Sequence, residues 1–384
     1  MNDFIPTHTC RICGQKFFEE PLLKYSNMPK AAQFMPDAKS LKNDTGVDLE
    51  VCQCSGCGLV QLSNAPVPYY REVVRAAAVS QEMKDFRKKQ FIDFIEKYSL
   101  QKAKIIEIGC GEGEFLSIMQ ELATESYGLE YSEESVEKCK RNGLKVFQGF
   151  IESADYTLCE NPFDAFFVLN YLEHLPQLNS VLRGIYNNLN DGGIGLIDVP
   201  NFDMIVQKRL FSEFIGDHLF YFTKETLNST LWINGFEILE CKVHWYNYII
   251  SAVVRKRDKT DLSEFHNHQA KLKNEIEKYL INFKNKKVAI WGASHQALAI
   301  LALLNLSGRI KYVVDSAEFK QGKFTPATHI PIVAPQELNA NPVDAIIVMA
   351  AGYSDEVAGI IRQKFDKKIN VSILREFGLE IIKP

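Results

Sequence analysis

The apolar positions of this chain fall into short runs, each followed by a turn and then by apolar residues at helical spacing. The clearest run is Ile105–Leu116, IIEIGCGEGEFL. It passes through Glu107, then glycines fall at Gly109, Gly111 and Gly113, and Phe115, Leu116, Ile118, Met119 and Leu122 follow at helical spacing. This pattern predicts strand, glycine turn and helix, the opening βα unit of a Rossmann-like sheet. Glycine is needed where a backbone bends sharply and lets a ligand lie against it. Ser126–Glu130 predicts a second strand ending in an acid. Phe163–Leu169, Gly195–Pro200, Phe236–Leu239 and Ile249–Val254 predict further strands, and Val181–Leu189 predicts a helix stopped by Asp191-Gly192-Gly193.

Glu82–Tyr98 reads as a helix with Met83, Phe86, Phe91, Phe94 and Ile95 at apolar spacing. The basic triplet Arg87-Lys88-Lys89 reads as its solvated face. Pro66, Pro68 and the pair Tyr69-Tyr70 mark a break before it, placed to suit an active-site lid. After a charged linker, Leu262–Phe283 reads as a helical spacer. Strand-turn-helix begins again at Lys287–Leu304, with further strands at Lys311–Asp315 and Ala345–Met349. The turn there carries Gly292 alone, which argues for a degenerate Rossmann-like domain that lends loops to a substrate site. The expected fold class is α/β. Its parts are a small metal-binding module over 1–65, a helical connector or lid over 66–103, a core over 104–256, a helical linker over 257–285 and a second Rossmann-like, substrate-binding domain over 286–384.

Composition narrows the function classes. The chain has 384 residues, 46% hydrophobic and 24% charged, with a net charge of −4, ordinary for a soluble globular protein. It has no basic domain or stripe, which argues against nucleic acid. No run of eighteen apolar residues suggests a membrane span, and MNDFIPTHTC lacks the layout of a signal peptide. A cytoplasmic location is therefore expected, with the nine cysteines as reduced thiols or metal ligands.

Four of those cysteines form a pattern. Cys10-Arg-Ile-Cys13-Gly14 and Cys54-Ser-Gly-Cys57-Gly58 are two C-x2-C knuckles, each followed by glycine. Two knuckles let four thiolates converge tetrahedrally on Zn2+. Cys52 offers a competing pairing with Cys54, but Cys54 and Cys57 repeat the spacing and the trailing glycine. Four thiolates leave no open position, so the expected zinc is structural. The bland alternative is coincidental buried cysteine.

The chemistry of the core is expected at the carboxyl ends of its strands. Glu130 can accept the hydroxyls of a ribose. Glu107 before a G-x-G-x-G turn resembles an S-adenosylmethionine (SAM) turn more than a dinucleotide fingerprint, because a carboxylate suits a sulfonium and an amine and is unwelcome beside a pyrophosphate. Glu107, Gly109, Gly111, Gly113, Glu130 and Asn170 are the candidate cofactor residues. His174, in the turn Asn170–Pro176, sits where a second substrate would lie, or serves the loop as a hydrogen-bonding group. Asp217-His218, inside an aromatic run, suits a general base, since low-dielectric walls shift a pKa. The plainer reading is a histidine satisfied by nearby backbone.

Three features together resemble the deoxysugar C-methyltransferases, SAM-dependent enzymes that add a methyl to a carbon of nucleotide-linked keto-sugars. They are a four-cysteine module ending in C-x-x-C-x-L-V-Q-L (Cys54–Leu62), a class I methyltransferase core, and a C-terminal domain. The last carries Val314-Asp315, then K-Q-G-K-F-T-P (Lys320–Pro326) and T-H-I-P (Thr328–Pro331). The resemblance implies structural zinc at the cysteines, SAM at the glycine turn and a nucleotide-sugar acceptor, in a monomer or homodimer. It also implies chemistry at His174 and at the pair Asp217 and His218. The chain departs from members acting at the 3-carbon by having Asp217 where they have Glu and Ile215 where they have Tyr. PYYREVVRAAAVS replaces their Tyr-x-Tyr with paired serines, and Tyr246–Ser251 replaces a glycine-glycine-serine turn. The expected reaction is methyl transfer to the carbon beside the ketone of a 4-keto sugar. His218 is the expected base, Asp217 its orienting acid, His174 the group facing the enolate oxygen and Tyr70 a closing donor. The rival readings are O- or N-methylation of a sugar or other small metabolite, and a zinc-bearing RNA-modifying module.

Overall fold

A computed structural model describes residues 5–33, 35–72, 79–122, 125–283 and 287–382. The chain divides into two compact units, residues 1–258 and 259–384.

The first unit runs, in chain order, β1 (Leu23–Met28), β2 (Val47–Gln53), β3 (Val60–Leu62), α1 (Gln81–Lys97), β4 (Lys104–Ile108), α2 (Glu114–Glu121), β5 (Glu125–Glu130), α3 (Glu133–Arg141), β6 (Val146–Gln148), β7 (Phe163–Leu169), α4 (Leu178–Asn187), β8 (Leu189–Pro200), α5 (Phe202–Lys208), β9 (Phe220–Tyr221), α6 (Lys224–Ile233), β10 (Phe236–His244) and β11 (Ile249–Lys256). Its main sheet has seven strands in the order β10-β11-β8-β7-β4-β5-β6. Strands β4 to β8 are parallel, and β11 runs antiparallel between β8 and β10. This is the doubly wound sheet that the apolar runs predict. Strand β8 starts earlier than expected and takes in Asp191-Gly192-Gly193.

Period-two alternation builds the core. Ile106, Ile108, Phe166, Val168, Ile197 and Val199 bury on one face of the sheet. Ile105, Ala165, Phe167, Leu169, Ile194 and Leu196 bury on the other. Successive side chains of a strand point to opposite faces, so near-continuous apolar strands need cover on both.

A second sheet joins the N-terminal residues to the core. Its order is β1-β2-β3-β9. Strand β3 leaves the second cysteine knuckle, and β9 starts two residues after His218. Val60 pairs with Tyr221 and Gln61 with Phe220. The cysteine-bearing residues therefore belong to the same compact unit as the core.

Helix α1 corrects one expectation. Ser80 caps it by accepting the Met83 N–H, as an N-cap should. Arg87, read as part of a solvated face, is fully buried. Its guanidinium pairs with Asp198 of β8, and Gln90 of the same helix donates to Asp198 and to Ser251. A charge can be buried when it is paired and hydrogen-bonded. Position 87 in fact shares the helix stripe of Met83 and Phe91, four residues to either side.

The second unit runs α7 (Ser263–Ile281), β12 (Val288–Trp291), α8 (His295–Leu303), β13 (Tyr312–Val314), β14 (Ile332–Val333), α9 (Glu337–Ala340), β15 (Ala345–Val348), α10 (Ser354–Lys364), β16 (Asn370–Arg375) and β17 (Gly378–Ile382). Its sheet order is β14-β13-β12-β15-β16-β17, parallel except for the β16–β17 pair. Helix α7, expected as a spacer, packs Leu272, Ile276, Tyr279 and Leu280 into this unit's core.

The Arg87–Asp198 pair gives a stability prediction. Arg87→Met strands a buried carboxylate and should cost about 3–5 kcal/mol, seen as a lower denaturant midpoint. Adding Asp198→Leu should recover most of the loss.

Candidate functional site

The four knuckle cysteines converge. Cys13 Sγ lies 3.4 Å from Cys54 Sγ and Cys10 Sγ 3.7 Å from Cys57 Sγ, and all four sulfurs fall within 4.8 Å of one another. A tetrahedron with bonds of about 2.3 Å puts its sulfurs about 3.8 Å apart, so the cluster is compatible with a metal. N–H groups of Ile12, Gly56 and Cys57, and the side-chain amide of Gln61, donate to these sulfurs, as donors do around thiolates. Cys52 stands on β2, outside the cluster. Gln61, buried on β3, also accepts the Arg11 N–H at 3.0 Å, so one side chain ties the first knuckle to the strand that meets β9.

The glycine turn lies at the carboxyl end of β4. Gly109, Gly111 and Gly113 have φ of 74°, 55° and 82°, a region that favours glycine. Glu107 is buried at the end of β4. At the end of β5, Glu130 accepts the Gly111 N–H and the Ser132 N–H, each at 2.9 Å. Those bonds fix the carboxylate beside the turn, and burial raises its pKa. A carboxylate has about four lone-pair sites, so backbone donors leave it room to accept from a ribose hydroxyl. The space beside Gly111 is open: a Cβ there would meet nothing within 4 Å. The turn, its open face and this acid fit SAM. Asn170, exposed just past β7 with φ 51°, donates its N–H to the Asp198 carbonyl at 2.8 Å.

One loop connects this turn to the histidines. Tyr171 lies against Gly109, so closely that a Cβ on Gly109 would fall 2.7 Å from its ring. Three residues on, His174 Nδ1 lies 2.8 Å from the Asp217 backbone carbonyl. A carbonyl only accepts, so Nδ1 carries the proton and Nε2 keeps its lone pair. The ring of His174 meets that of His218 edge-on, with centroids 4.7 Å apart. Burial draws His174 down to about 4. Burial and then the nearby His174 draw His218 down to about 3. Both imidazoles are therefore neutral at pH 7.

The structure reassigns the neighbours of His218. Asp217 does not orient it. In the turn closed by the His218 N–H on the Ile215 carbonyl, the Asp217 carboxylate faces away, accepting the Tyr69 hydroxyl at 2.7 Å and the Ala32 N–H at 3.2 Å. Burial and this carboxylate push the Tyr69 phenol up to about 12. Tyr69, rather than Tyr70, thus reaches the Asp-His turn. Tyr70 is buried edge-on against Phe150, with centroids 5.9 Å apart. Residues 73–78 of the replaced PYYREVVRAAAVS segment lie outside the described residues. With Nδ1–H on the Asp217 carbonyl, neutral His174 has no second N–H to offer to a group it faces.

Sequence reasoning missed Glu173. The residue is 1% exposed, Oε1 lies 3.9 Å from His174 Nε2, and Oε2 has no partner among the described residues.

In the second unit, the motif-rich stretch bonds to itself. Asp315 accepts the N–H groups of Ala293 and Ala317 and the ammonium of Lys320. Gln321 donates to the Asp315 carbonyl at 3.0 Å, and the Ile330 N–H donates to Thr325 Oγ1 at 2.8 Å. The acid that would hold a ribose is occupied by its own chain.

Comparison with known proteins bears on both units. Residues 81–241 match a family model described as a methyltransferase domain, and residues 254–371 one described as a C-methyltransferase C-terminal domain. The chain is 21% identical to the C-methyltransferase NovU of Streptomyces niveus, over 93% of each chain. It is 29% identical to a carboxy-S-adenosyl-L-methionine synthase of Trichodesmium erythraeum, over 35% of this chain and 54% of that one. Among solved structures, the magnesium protoporphyrin IX methyltransferase of Synechocystis, with bound SAH, is 13% identical, with a TM-score of 0.39, over 50% of this chain and 97% of that one. Taken together, the two domain matches and the near full-length likeness to a C-methyltransferase support a SAM-dependent methyltransferase of the C-methyltransferase kind.

Proposed function

We propose that this protein transfers a methyl from SAM to the carbon beside the ketone of a nucleotide-linked 4-keto deoxysugar. The observation that carries the reading is the loop Asn170–His174. It packs Tyr171 on the glycine turn and brings His174 against His218, so one segment joins the methyl-donor site to two neutral imidazoles. The C-methyltransferase match of residues 254–371 supports carbon over oxygen or nitrogen as the acceptor. The sugar rests on the motif resemblance.

A C–H beside a ketone is a weak acid and needs a placed base. His218 takes that proton, its lone pair kept free at neutral pH by burial. His174 packs edge-on against His218 and so limits the orientations open to its ring. The Tyr69–Asp217 bond holds the turn in which His218 sits. Glu107, Gly109, Gly111, Gly113, Glu130 and Asn170 hold the cofactor, whose sulfonium supplies an electrophilic methyl when bound. Zn2+ at Cys10, Cys13, Cys54 and Cys57 is structural, since β3 carries its order to β9.

Three predictions follow from these assignments. His218→Asn should lower kcat by about 10²-fold or more with little change in SAM affinity, and should abolish solvent-deuterium wash-in at the acceptor carbon. Full turnover in both His218→Asn and His174→Asn would overturn the assignment. Glu130→Ala should weaken SAM binding about tenfold or more, since a hydrogen bond to a charged group contributes about 1.5–3 kcal/mol; calorimetry reads this directly. Elemental analysis should find one zinc per chain, absent from Cys13→Ser, and chelation should lower the melting temperature.

A further inference from the structure

We propose that Glu173 is the carboxylate partner of the His174–His218 pair, a positioning residue whose ionisation raises the basicity of both imidazoles. This rests on the reading of His218 as the base.

The geometry singles Glu173 out. A carboxylate oxygen of Glu173 and one ring nitrogen each of His174 and His218 lie within 4.8 Å of one another. Asp217, the acid adjacent to His218 in sequence, is already bound to Tyr69 and Ala32. Glu173 is enclosed, and its Oε2 has no partner among the described residues. Its backbone carbonyl is fixed by the Leu219 N–H at 2.7 Å, so the loop cannot swing the carboxylate away from the histidines without breaking that bond. A buried polar atom without a partner costs stability, which makes this carboxylate an unusual feature in a structural loop.

The charged groups around it set the direction of the effect. From its own loop it faces His174, and from the turn before β9 it faces His218, with Asp217 beyond. From β8 it faces Asp198, which α1 neutralises through Arg87. Ahead of β11 stands Tyr248, whose phenol burial pushes up to about 12, with Glu213 and Glu173 adding to the shift. No cation other than the Arg87 already paired with Asp198 is among these groups. Burial, with Asp198 a smaller contributor, pushes the Glu173 carboxyl up to about 8. Between about pH 4 and that value the trio is neutral. Above it, Glu173 releases its proton to solvent and leaves a negative charge beside two imidazoles, which favours their protonated forms. A stronger base at His218 follows.

Stability should move the opposite way. The folded pKa lies above the ordinary carboxyl value, so between about pH 5 and 8 the folded chain binds a proton that the unfolded chain has lost. Folding therefore weakens as pH rises through that window.

Three measurements on the full chain and Glu173→Gln test the proposal. The first is imidazole NMR of His174 and His218, which needs no substrate. Both should shift with a midpoint near pH 8 in the wild type and not in the variant. The second is turnover of thymidine-diphosphate-linked 4-keto deoxyhexose. The wild-type to variant ratio should grow about tenfold or more from pH 6 to pH 9. The third is thermal melting, where the variant should match or exceed the wild type at pH 8. Wild-type-like titration of the histidines in Glu173→Gln, or an equal loss of turnover at every pH, would overturn the proposal. His218→Asn separates the two readings. If it is inactive while Glu173→Gln keeps the wild-type pH profile, only the role of Glu173 falls; if it retains turnover, the base assignment falls.

Discussion

The peptide of Leu219 is the constraint on which the first unit depends. Its carbonyl accepts the Leu62 N–H at 3.0 Å, and its own N–H donates to the Glu173 carbonyl at 2.7 Å. One buried residue thus spans the strand that leaves the cysteine cluster and the loop that follows β7. Neither bond has a water competitor, since Leu219, Leu62 and Glu173 are all buried. An unmade backbone bond in such a place costs more than a made one contributes. The placement of His218, one residue before Leu219, inherits this rigidity. A cysteine cluster outside the histidine pair can act on it through such a pair of bonds.

The second consequence concerns charge. The region around the histidines holds Asp198, Asp217 and Glu173, all buried. Asp198 has Arg87, and Asp217 has Tyr69 and Ala32. Glu173 has an oxygen without a hydrogen-bond partner among the described residues, and the histidines stand nearest it as possible metal-ligating or basic groups. The site therefore separates carboxylates that are bound from one whose surroundings leave it free to titrate, and environments that differ in this way set acid and base roles apart.

The legible part of this molecule was what local spacing controls. Cysteine knuckles, glycine turns and acid-ending strands are short-range patterns, and the structure shows each of them where the spacing put it. Arg87 was also within reach, because its four-residue spacing from Met83 and Phe91 places it on the apolar stripe. What escaped depends on contacts far apart in sequence. The partners of Asp217, Tyr69 and Ala32, lie 148 and 185 residues away, so adjacency to His218 suggested a pairing that the turn does not make. Glu173 was hidden by its neighbour, since "EH" drew notice to the histidine. The K-Q-G-x-x-T-P string identified a family, but its side chains mostly hold their own loop.

The account's central claim is that order passes from the cysteine cluster through Leu219 to the histidine pair. Hydrogen–deuterium exchange of the peptides covering 170–176 and 214–222, with the cysteines metal-loaded and after Cys13→Ser, tests it most directly. The account predicts strong protection in the loaded protein, faster exchange in both segments of the variant, and unchanged exchange across 288–304 of the second unit. Unchanged protection at Leu219 in the variant would contradict it.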